Sequence, residues 1–560
     1  MCGIAWYSLA GVSADAAAAL EADARTRLAH RGPDATRVER RGGALWAFHR
    51  LAVVGAVDDG GAAGGRGMQP FEGRGGSRMV CNGEVWNYRE LWDEQGEPRS
   101  DCDAVLALLD AAAAAGGPGA AAASAVAAAL ARVDGDFALV WQAPEGAGGP
   151  GARLVAARDR FGVRPLFWGA GADGEPRAFA SEAKALVGAP GVERVRALPP
   201  GHAWVELEDA RGGRGGALVA FAAPPFAPAP PLEPAPSRPE AAARVRALLD
   251  AAVRRRLGHG ERPVGVLCSG GIDSAVVTCL AARALAERGG GGARLKVFTM
   301  EYAEGLSEDA FYARLLCSRL GVDHTVFRFT RAEAEAAYDA VARALETPDP
   351  NTVRAAVPMA LLARRIAAET DVRVVLSGEG ADELFHGYNY FRLAPDGAAA
   401  RAEAARLVRQ LHAFDVLRAD RCMAAAGLEL RVPFLDAALV GYVQALPGEL
   451  PWGGAAGAEK QLLRDAFADE RFAALADCRI LDRGKERFSD GCGYSYVPHL
   501  LEFVNGGRTP VLADKLDAER RRARALFEAA YPGCEELVVA REMPGWAQAR
   551  CAGGGASCEM

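Results

Sequence analysis

Val264-Gly265-Val266-Leu267-Cys268-Ser269-Gly270-Gly271-Ile272-Asp273-Ser274-Ala275-Val276-Val277 is the stretch that decides the fold of the larger half of this chain. Val264 to Cys268 is an apolar run of the length of a buried strand, and Ala275 to Arg288 reads as a helix. Ser269 to Ser274 is then the turn between them. Glycines in such a turn let the backbone approach an anion closely, and the N–H groups of the turn and of the helix N-terminus point at it. Ser269 and Ser274 offer hydroxyl donors. Asp273 would repel a phosphate unless Mg²⁺ lay between them, which makes it a candidate metal ligand. The Gly-Lys-Ser/Thr ending of a Walker loop is absent, and so is the glycine spacing of a dinucleotide fingerprint. A tight turn without a ligand is the plain alternative.

Working outward, Val374 to Glu383 (VVLSGEGADE) is again a strand running into a glycine-rich turn. In a parallel sheet both turns lie at the carboxyl edge, where ligands bind. Glu379, Asp382 and Glu383 then stand near Asp273, and one or two shared Mg²⁺ ions are expected. Around these loops, Pro239 to Leu257 reads as an amphipathic helix, and Val297 to Met300 and Val372 to Leu376 as strands. Strands alternating with helices predict a doubly wound parallel sheet, with a mostly helical part after Ala398. The first loop resembles the SGGxDS loop of the ATP pyrophosphatase (adenylating) family, which cleaves ATP to AMP and pyrophosphate.

The first part of the chain has a different texture. Short apolar runs separated by turns (Ala44 to His49, Met79 to Asn82, Phe137 to Trp141, Leu154 to Ala157, Ala178 to Ala180) predict many strands, with helices at Ala14 to His30 and Asp101 to Ala115. Stacked sheets flanked by helices follow. Phe221 to Pro239 (FAAPPFAPAPPLEPAPSRP) is too proline-rich for a helix or central strand and reads as an extended linker. The expected domains are residues 2–205, a linker at 206–238, a second domain at 239–540 and a glycine-rich tail at 541–560. The alanine-rich stretch from Ala111 to Ala123 looks inserted or diverged.

A length of 560 residues suits two or three domains. A net charge of -7 argues against nucleic acid as partner. The 12 cysteines are scattered, without CxxC pairs or zinc spacing, which fits free thiols in a reducing compartment. Neither a signal peptide nor a membrane span is visible, since the alanine run from Ala111 to Leu130 is broken by Gly116, Gly117, Pro118 and Gly119. The cytosol is the expected location.

Cys2 follows the initiator Met, and methionine is normally trimmed before so small a residue. One residue would then carry both a thiol and an α-amino group able to act as its base. His30-Arg31-Gly32-Pro33-Asp34, His49-Arg50-Leu51, Cys81 to Tyr88 (CNGEVWNY), Ser100-Asp101-Cys102-Asp103, Asp134 to Ala138 and Arg158 to Gly162 follow in an order that resembles class II glutamine amidotransferases. That resemblance implies an N-terminal-nucleophile αββα sandwich. It also implies a glutamine site. Arg50 would take the carboxylate, Glu84 and Asp101 the amino group, and Asn82 with the Gly83 N–H the oxyanion. Val54 belongs to the same site.

Joined to the SGGxDS loop, this domain resembles the glutamine-hydrolysing asparagine synthetase family. Glu346 to Asp349, Arg354 to Met359, Ser377 to Tyr388, Ala425 to Asp436 (AAGLELRVPFLD), Glu459-Lys460 with Leu463-Arg464, and Lys485 to Tyr494 (KERFSDGCGY) match its pattern, so the likeness spans about Cys2 to Tyr494. The resemblance implies a ligase that uses glutamine, aspartate and ATP, passes through β-aspartyl-AMP and carries ammonia along an internal passage. Cys2 is the implied nucleophile. Ser269, Gly270, Gly271, Asp273 and Ser274 would cradle pyrophosphate, and Leu267, Met300, Ser377 and Gly378 would line the nucleotide site. Asp273 and Asp382 would hold Mg²⁺, Glu379 would serve the adenylate, Lys460 would stabilise phosphate charge, and Arg354 would stand near aspartate or the phosphates. A homodimer is implied.

The chain departs from the family at Asn351 (usually Thr), Glu301 (usually Gly, so expected to turn outward) and Gly55 (usually Asp). Two alternatives stay open: a related enzyme adenylating another carboxylate, and a non-catalytic homologue.

Overall fold

A computed structural model of the chain describes residues 1–54, 65–73, 75–92, 96–144, 151–208, 214–222, 232–288, 294–452, 458–506 and 512–551. The N-terminal part carries strands β1 (Gly3–Ser8), β2 (Ala35–Arg41), β3 (Ala44–Arg50), β4 (Phe71–Glu72), β5 (Arg78–Val85), β6 (Gly135–Gln142), β7 (Gly151–Arg158), β8 (Phe167–Ala170), β9 (Pro176–Ala180), β10 (Arg194–Ala197), β11 (His202–Glu208) and β12 (Arg214–Ala220). They form two antiparallel sheets, ordered β10-β8-β9-β1-β3-β2 and β12-β11-β7-β6-β5-β4.

Period-two alternation sorts the side chains. Ile4 and Trp6 of β1 and Trp46 and Phe48 of β3 meet Val80, Val140 and Ala156 of the facing sheet. The neighbours Ala5, Tyr7, Leu45 and Ala47 pack outward beneath the helix Ala14–Ala24. On the far side, Cys81, Leu139 and Val155 are covered by the helices Asp103–Ala115 and Ala120–Ala131. This is the αββα sandwich.

Several boundaries differ from the expectation. The first helix ends at Ala24, because Arg27 is drawn to the carbonyls of Lys184 (2.6 Å) and Val187 (3.1 Å) and Arg31 turns inward. The alanine-rich stretch is two packed helices rather than a loose insertion, broken where Gly117 and Gly119 adopt positive φ. The second sheet runs on past residue 205 through β12, which pairs with β11 as far as Ala220. Of the proline-rich stretch, residues 223–231 lie outside the described residues, as do Gly55 and residues 552–560.

Beyond Ser237 the texture changes. Ser237 and Glu240 form a reciprocal capping box that starts the helix Arg238–Gly258, with Pro239 in its first turn. Strands β13 (Val264–Leu267), β14 (Lys296–Tyr302), β15 (Asp323–Phe329), β16 (Val374–Leu376) and β17 (Glu429–Arg431) form one sheet, ordered β15-β14-β13-β16-β17 with every pair parallel. The order reverses between β13 and β16, and an open α/β sheet binds its ligand at such a switch point. Among the described residues no helix is long and apolar enough to cross a membrane.

The two parts share a buried, charged seam. Arg31 reaches Glu182 (2.6 Å) and Asp420 (2.9 Å). Arg421 reaches Glu346 (2.6 Å), whose carboxylate also accepts from the Ala183 and Lys184 N–H groups at 2.8 Å. Ions this deep hold only when paired and hydrogen-bonded, so the seam fixes one relative placement of the halves.

Candidate functional site

At the switch point lies a cleft of about 490 Å³, walled by the ends of β13, β14 and β16. Gly271 caps the helix Ile272–Glu287, and its neighbour Gly270 has φ +73. A Cβ on Gly270 would stand 2.7 Å from the Ala313 nitrogen, so the loop needs glycine there on both counts. Leu267, Ser269, Asp273, Ser274, Met300, Arg354, Ser377, Gly378, Glu379 and Asp382 all face this cleft. Gly271 and Lys460 face an adjoining recess that shares Ser269 and Asp273, and Gly270 faces neither. The Ser274 hydroxyl already accepts from the Ser269 N–H (3.0 Å) and donates to the Gly271 carbonyl (3.1 Å), so it stiffens the loop from within.

Carboxylates and lysines alternate around the loop. Lys460 Nζ bridges Asp273 and Asp382 (2.7 Å to the latter), and Lys485 Nζ reaches the other Asp382 oxygen at 2.7 Å. Burial would raise the Asp382 carboxyl, but the two lysines hold it well below the usual carboxylate range. Asp273 goes the other way: burial, reinforced by the Asp382 charge, raises it despite Lys460. Asp273 Oδ1 is buried with no hydrogen-bond partner among the described residues. A pair of hard oxygen donors with an orphaned atom fits a divalent cation such as Mg²⁺.

The far end of the cleft holds a ladder of opposite charges. Glu379 pairs with Arg418 (2.9 Å), Arg418 with Asp415, and Arg541 with Asp415 (3.7 Å) and Asp349 (3.1 Å). Burial pushes Glu383 up to about 8, helped by Asp415 and Asp382, while the Tyr388 hydroxyl donates to it. Arg354 is a wall rather than an open cation, since its guanidinium is bidentate on the buried Glu519 (3.1 and 2.5 Å). Glu301 turns away from the cleft, as expected, held by Arg314 (2.7 Å) and Arg328 (2.8 Å). Asn351 faces the cleft.

The second centre lies in the sandwich. Cys2 begins the chain's entry into β1, with Sγ 3.7 Å from the Leu51 carbonyl, and Arg31 Nε donates to the Cys2 carbonyl at 3.1 Å. Burial pushes the thiol up to about 11 while Met1 precedes it. Arg50, at the end of β3, donates to the Val54 carbonyl (3.1 Å), and Asp34 pins the turn through the Ala52 N–H (2.8 Å). Asn82 and Gly83 lie in β5. A Cβ on Gly83 would sit 2.3 Å from the Asp136 carbonyl on β6, so the strand pairing demands glycine. Neither side-chain atom of the buried Asn82 has a hydrogen-bond partner among the described residues, the state of a donor awaiting a ligand. Glu84 and Asp101 converge on one point, where His259 stands.

The two centres meet opposite ends of the parallel sheet. Cys2, Leu51, Val53 and Val54 pack on Val264 and Val374, the first residues of β13 and β16, whereas the cleft opens beyond their last residues. Sequence reading missed Asp415, Arg418, Lys485, Glu519, Arg541 and His259. Lys485 heads a matched segment and Asp415 and Arg418 pair three residues apart, but Glu519, Arg541 and His259 carry no local signal, since their partners are far away in sequence.

Known proteins resemble the chain over the same two parts. The Asparagine synthase family profile matches residues 244–410 and 394–536, and the Glutamine amidotransferase domain profile matches residues 1–199. Proteins named asparagine synthetase [glutamine-hydrolyzing] from Gallus gallus, Cricetulus griseus and Homo sapiens are each 33% identical to it, covering 98% of this chain and 97% of their own.

Proposed function

The chain belongs to the family of glutamine-hydrolysing asparagine synthetases, and we propose that its two centres run the two halves of one reaction, coupled by ammonia. In the sandwich, removal of Met1 gives Cys2 its own α-amino group, with an unperturbed pKa of about 7.7–8.0, to draw the proton from Sγ. Sγ attacks the glutamine amide carbon, and the oxyanion is met by Asn82 and the Gly83 N–H. Ammonia leaves, and water later frees glutamate from the thioester. Arg50 takes the donor's carboxylate, and Glu84 with Asp101 its ammonium.

In the cleft, an aspartate side-chain oxygen attacks the α-phosphorus of ATP, and pyrophosphate leaves into the Ser269–Ser274 loop. Lys460 and Lys485 offset its charge. Asp273 and Asp382 are the residues to hold Mg²⁺, which supplies further charge neutralisation when bound. Ammonia then attacks the acyl carbon of β-aspartyl-AMP and displaces AMP. Glu379, raised by burial against the pull of Arg418, is poised to take a proton from that ammonia. The charge ladder of Asp349, Asp415, Arg418 and Arg541 suits a zwitterionic acceptor. Arg354 acts through Glu519 as a clamp on this wall rather than as a ligand.

The observation that carries the reading is the pairing of an N-terminal thiol with a phosphate-loop cleft at opposite ends of one sheet in a single chain. Water would protonate free ammonia to ammonium, which is not a nucleophile, so a dry path between the centres has a purpose. The test is asparagine formation from aspartate, ATP and Mg²⁺ with glutamine as the sole nitrogen source. Asparagine equal to AMP, lost in Cys2→Ala but restored by ammonium, is expected. Absence of both products with glutamine and with ammonium, in folded protein, overturns it. AMP formed only with another carboxylate would point to Asn351.

A further inference from the structure

His259 is a buried titratable group that no step above uses. It caps the C-terminus of the helix Arg238–Gly258, so it belongs to the synthetase half. Its ring nevertheless stands in the glutamine pocket, with Nε2 at 2.7 Å from Glu84 Oε2 and 3.2 Å from Asp101 Oδ2. These are the two carboxylates that the donor's α-ammonium requires. A protonated imidazole and an alkylammonium offer a carboxylate pair the same thing, a cationic N–H. Resting on the reading above, we propose that His259 is a resident occupant of the ammonium subsite, and that glutamine binds by exchanging its α-ammonium for this ring.

The ring meets aromatic neighbours, and its backbone is anchored separately. Its edge meets Trp86 and Tyr88, with ring centroids at 5.0 and 5.8 Å. Its own carbonyl accepts from Arg431 at 2.7 Å. Burial pulls the imidazole's pKa down, but Glu84 and Asp101 outweigh it and lift it to about 10. Glu84 itself is pushed up to about 7 by burial and by Glu429 and Asp101, with Arg431 and His259 opposing. Asp101 Oδ2 also accepts from the Val85 N–H at 2.6 Å, so that carboxylate is fixed and the ring is the movable partner.

The ring also sits close in sequence to the synthetase sheet. Only Gly260 to Pro263 separate His259 from β13, which runs straight into the pyrophosphate loop. Gly260 has φ +96, and the Glu261 N–H donates to the Val53 carbonyl (2.9 Å), beside the Val54 carbonyl that Arg50 holds. The ring is therefore carried by a segment tied to both centres.

The test uses the full chain, chelator-treated because Glu84, Asp101 and His259 also bring three ligand atoms within 4.8 Å of one another. In a Cys2→Ala background, which binds glutamine without cleaving it, titration calorimetry gives the glutamine Kd. Removing the competing cation in His259→Leu is expected to tighten Kd about tenfold, ~1.4 kcal/mol, and His259→Gln to shift it the same way. His259→Arg, which keeps a permanent cation, is expected to leave Kd unchanged or weaker. In the Cys2 enzyme, His259→Leu lowers KM for glutamine while the kcat of glutamate release stays put; loss of a merely structural contact would lower kcat as well. An unchanged or weaker Kd in both neutral variants overturns the exchange while leaving the glutaminase reading intact. So does a Kd governed by added Zn²⁺ instead of by the ring. No glutamine binding in the Cys2→Ala parent overturns the glutaminase reading itself.

Discussion

Replacing Arg31 with Met tests the seam between the halves and the seat of Cys2, the proposed nucleophile, together. The Arg31 guanidinium, with no exposed surface, donates to Glu182 (2.6 Å) and to both oxygens of Asp420 (2.9 and 3.2 Å), and its Nε holds the Cys2 carbonyl. Without it Glu182 keeps His30 (3.1 Å), Lys184 and Arg421 (3.3 Å). Among the described residues Asp420 keeps only Arg421, at 3.8 Å. One carboxylate charge is thus stranded where no water reaches it, and breaking such a buried pair costs about 3–5 kcal/mol. Asp420→Asn removes the stranded charge. The double variant should therefore be less destabilised than the sum of the singles, by roughly 2–3 kcal/mol, the upper part of the range for coupled neighbours. Denaturant midpoints of the four proteins of the cycle give this number, and glutamate release should fall in Arg31→Met with the Cys2 carbonyl untethered. Additivity within about 0.5 kcal/mol would refute the claim that Asp420 depends on Arg31.

Gly378→Ala would set a Cβ 2.9 Å from Asp273 Cβ, the first atom of that side chain, and 3.0 Å from the Ser274 backbone nitrogen. It should cost about 1–3 kcal/mol of stability and cut AMP formation while sparing glutamate release, each read in its own half-assay. His386 is buried, with Nδ1 unpartnered among the described residues, and burial lowers its pKa to about 3. The unfolded chain takes up a proton below about 6.5 and the folded one does not, so this group's contribution is intact above pH 6.5 and lost as pH falls toward 3. Wild type should lose up to ~1.4 kcal/mol per pH unit relative to His386→Phe across that window, measured by denaturation between pH 6.5 and 5. Arg541→Gln should raise KM for aspartate more than KM for ATP and leave glutamate release alone; an equal rise in both would place Arg541 outside the acceptor end.

What the sequence disclosed follows from where its constraints are local. Gly270 and Gly378 are legible because a Cβ on either would stand 3.0 Å or less from its neighbours, and the five strand expectations in the N-terminal part hold because each is buried. Strand β2 (Ala-Thr-Arg-Val-Glu-Arg-Arg) escaped notice because it is an edge strand with Val38 as its one buried side chain. Strand β17, a run of three residues, is too short to show a period. Arg354 looked like an open cation because its partner Glu519 lies far along the chain, on the helix Leu512–Ala530. Arg541 sits in a stretch read as a glycine-rich tail, although part of it, Gly545–Cys551, is a helix whose Trp546 packs on Tyr390. Ion pairs across such separations leave no mark on composition or periodicity.

The burial of Met1 sets a schedule for making the protein. Its side chain packs with Phe161 and Val163, 1% of the residue is exposed, and its amino group lies 3.9 Å from Glu429 of the second half. An aminopeptidase needs an extended N-terminus, which the assembled molecule does not offer. If Cys2 is to act, Met1 must go before Glu429 arrives. Synthesis at about 5–20 residues per second leaves roughly 20–85 s between the two.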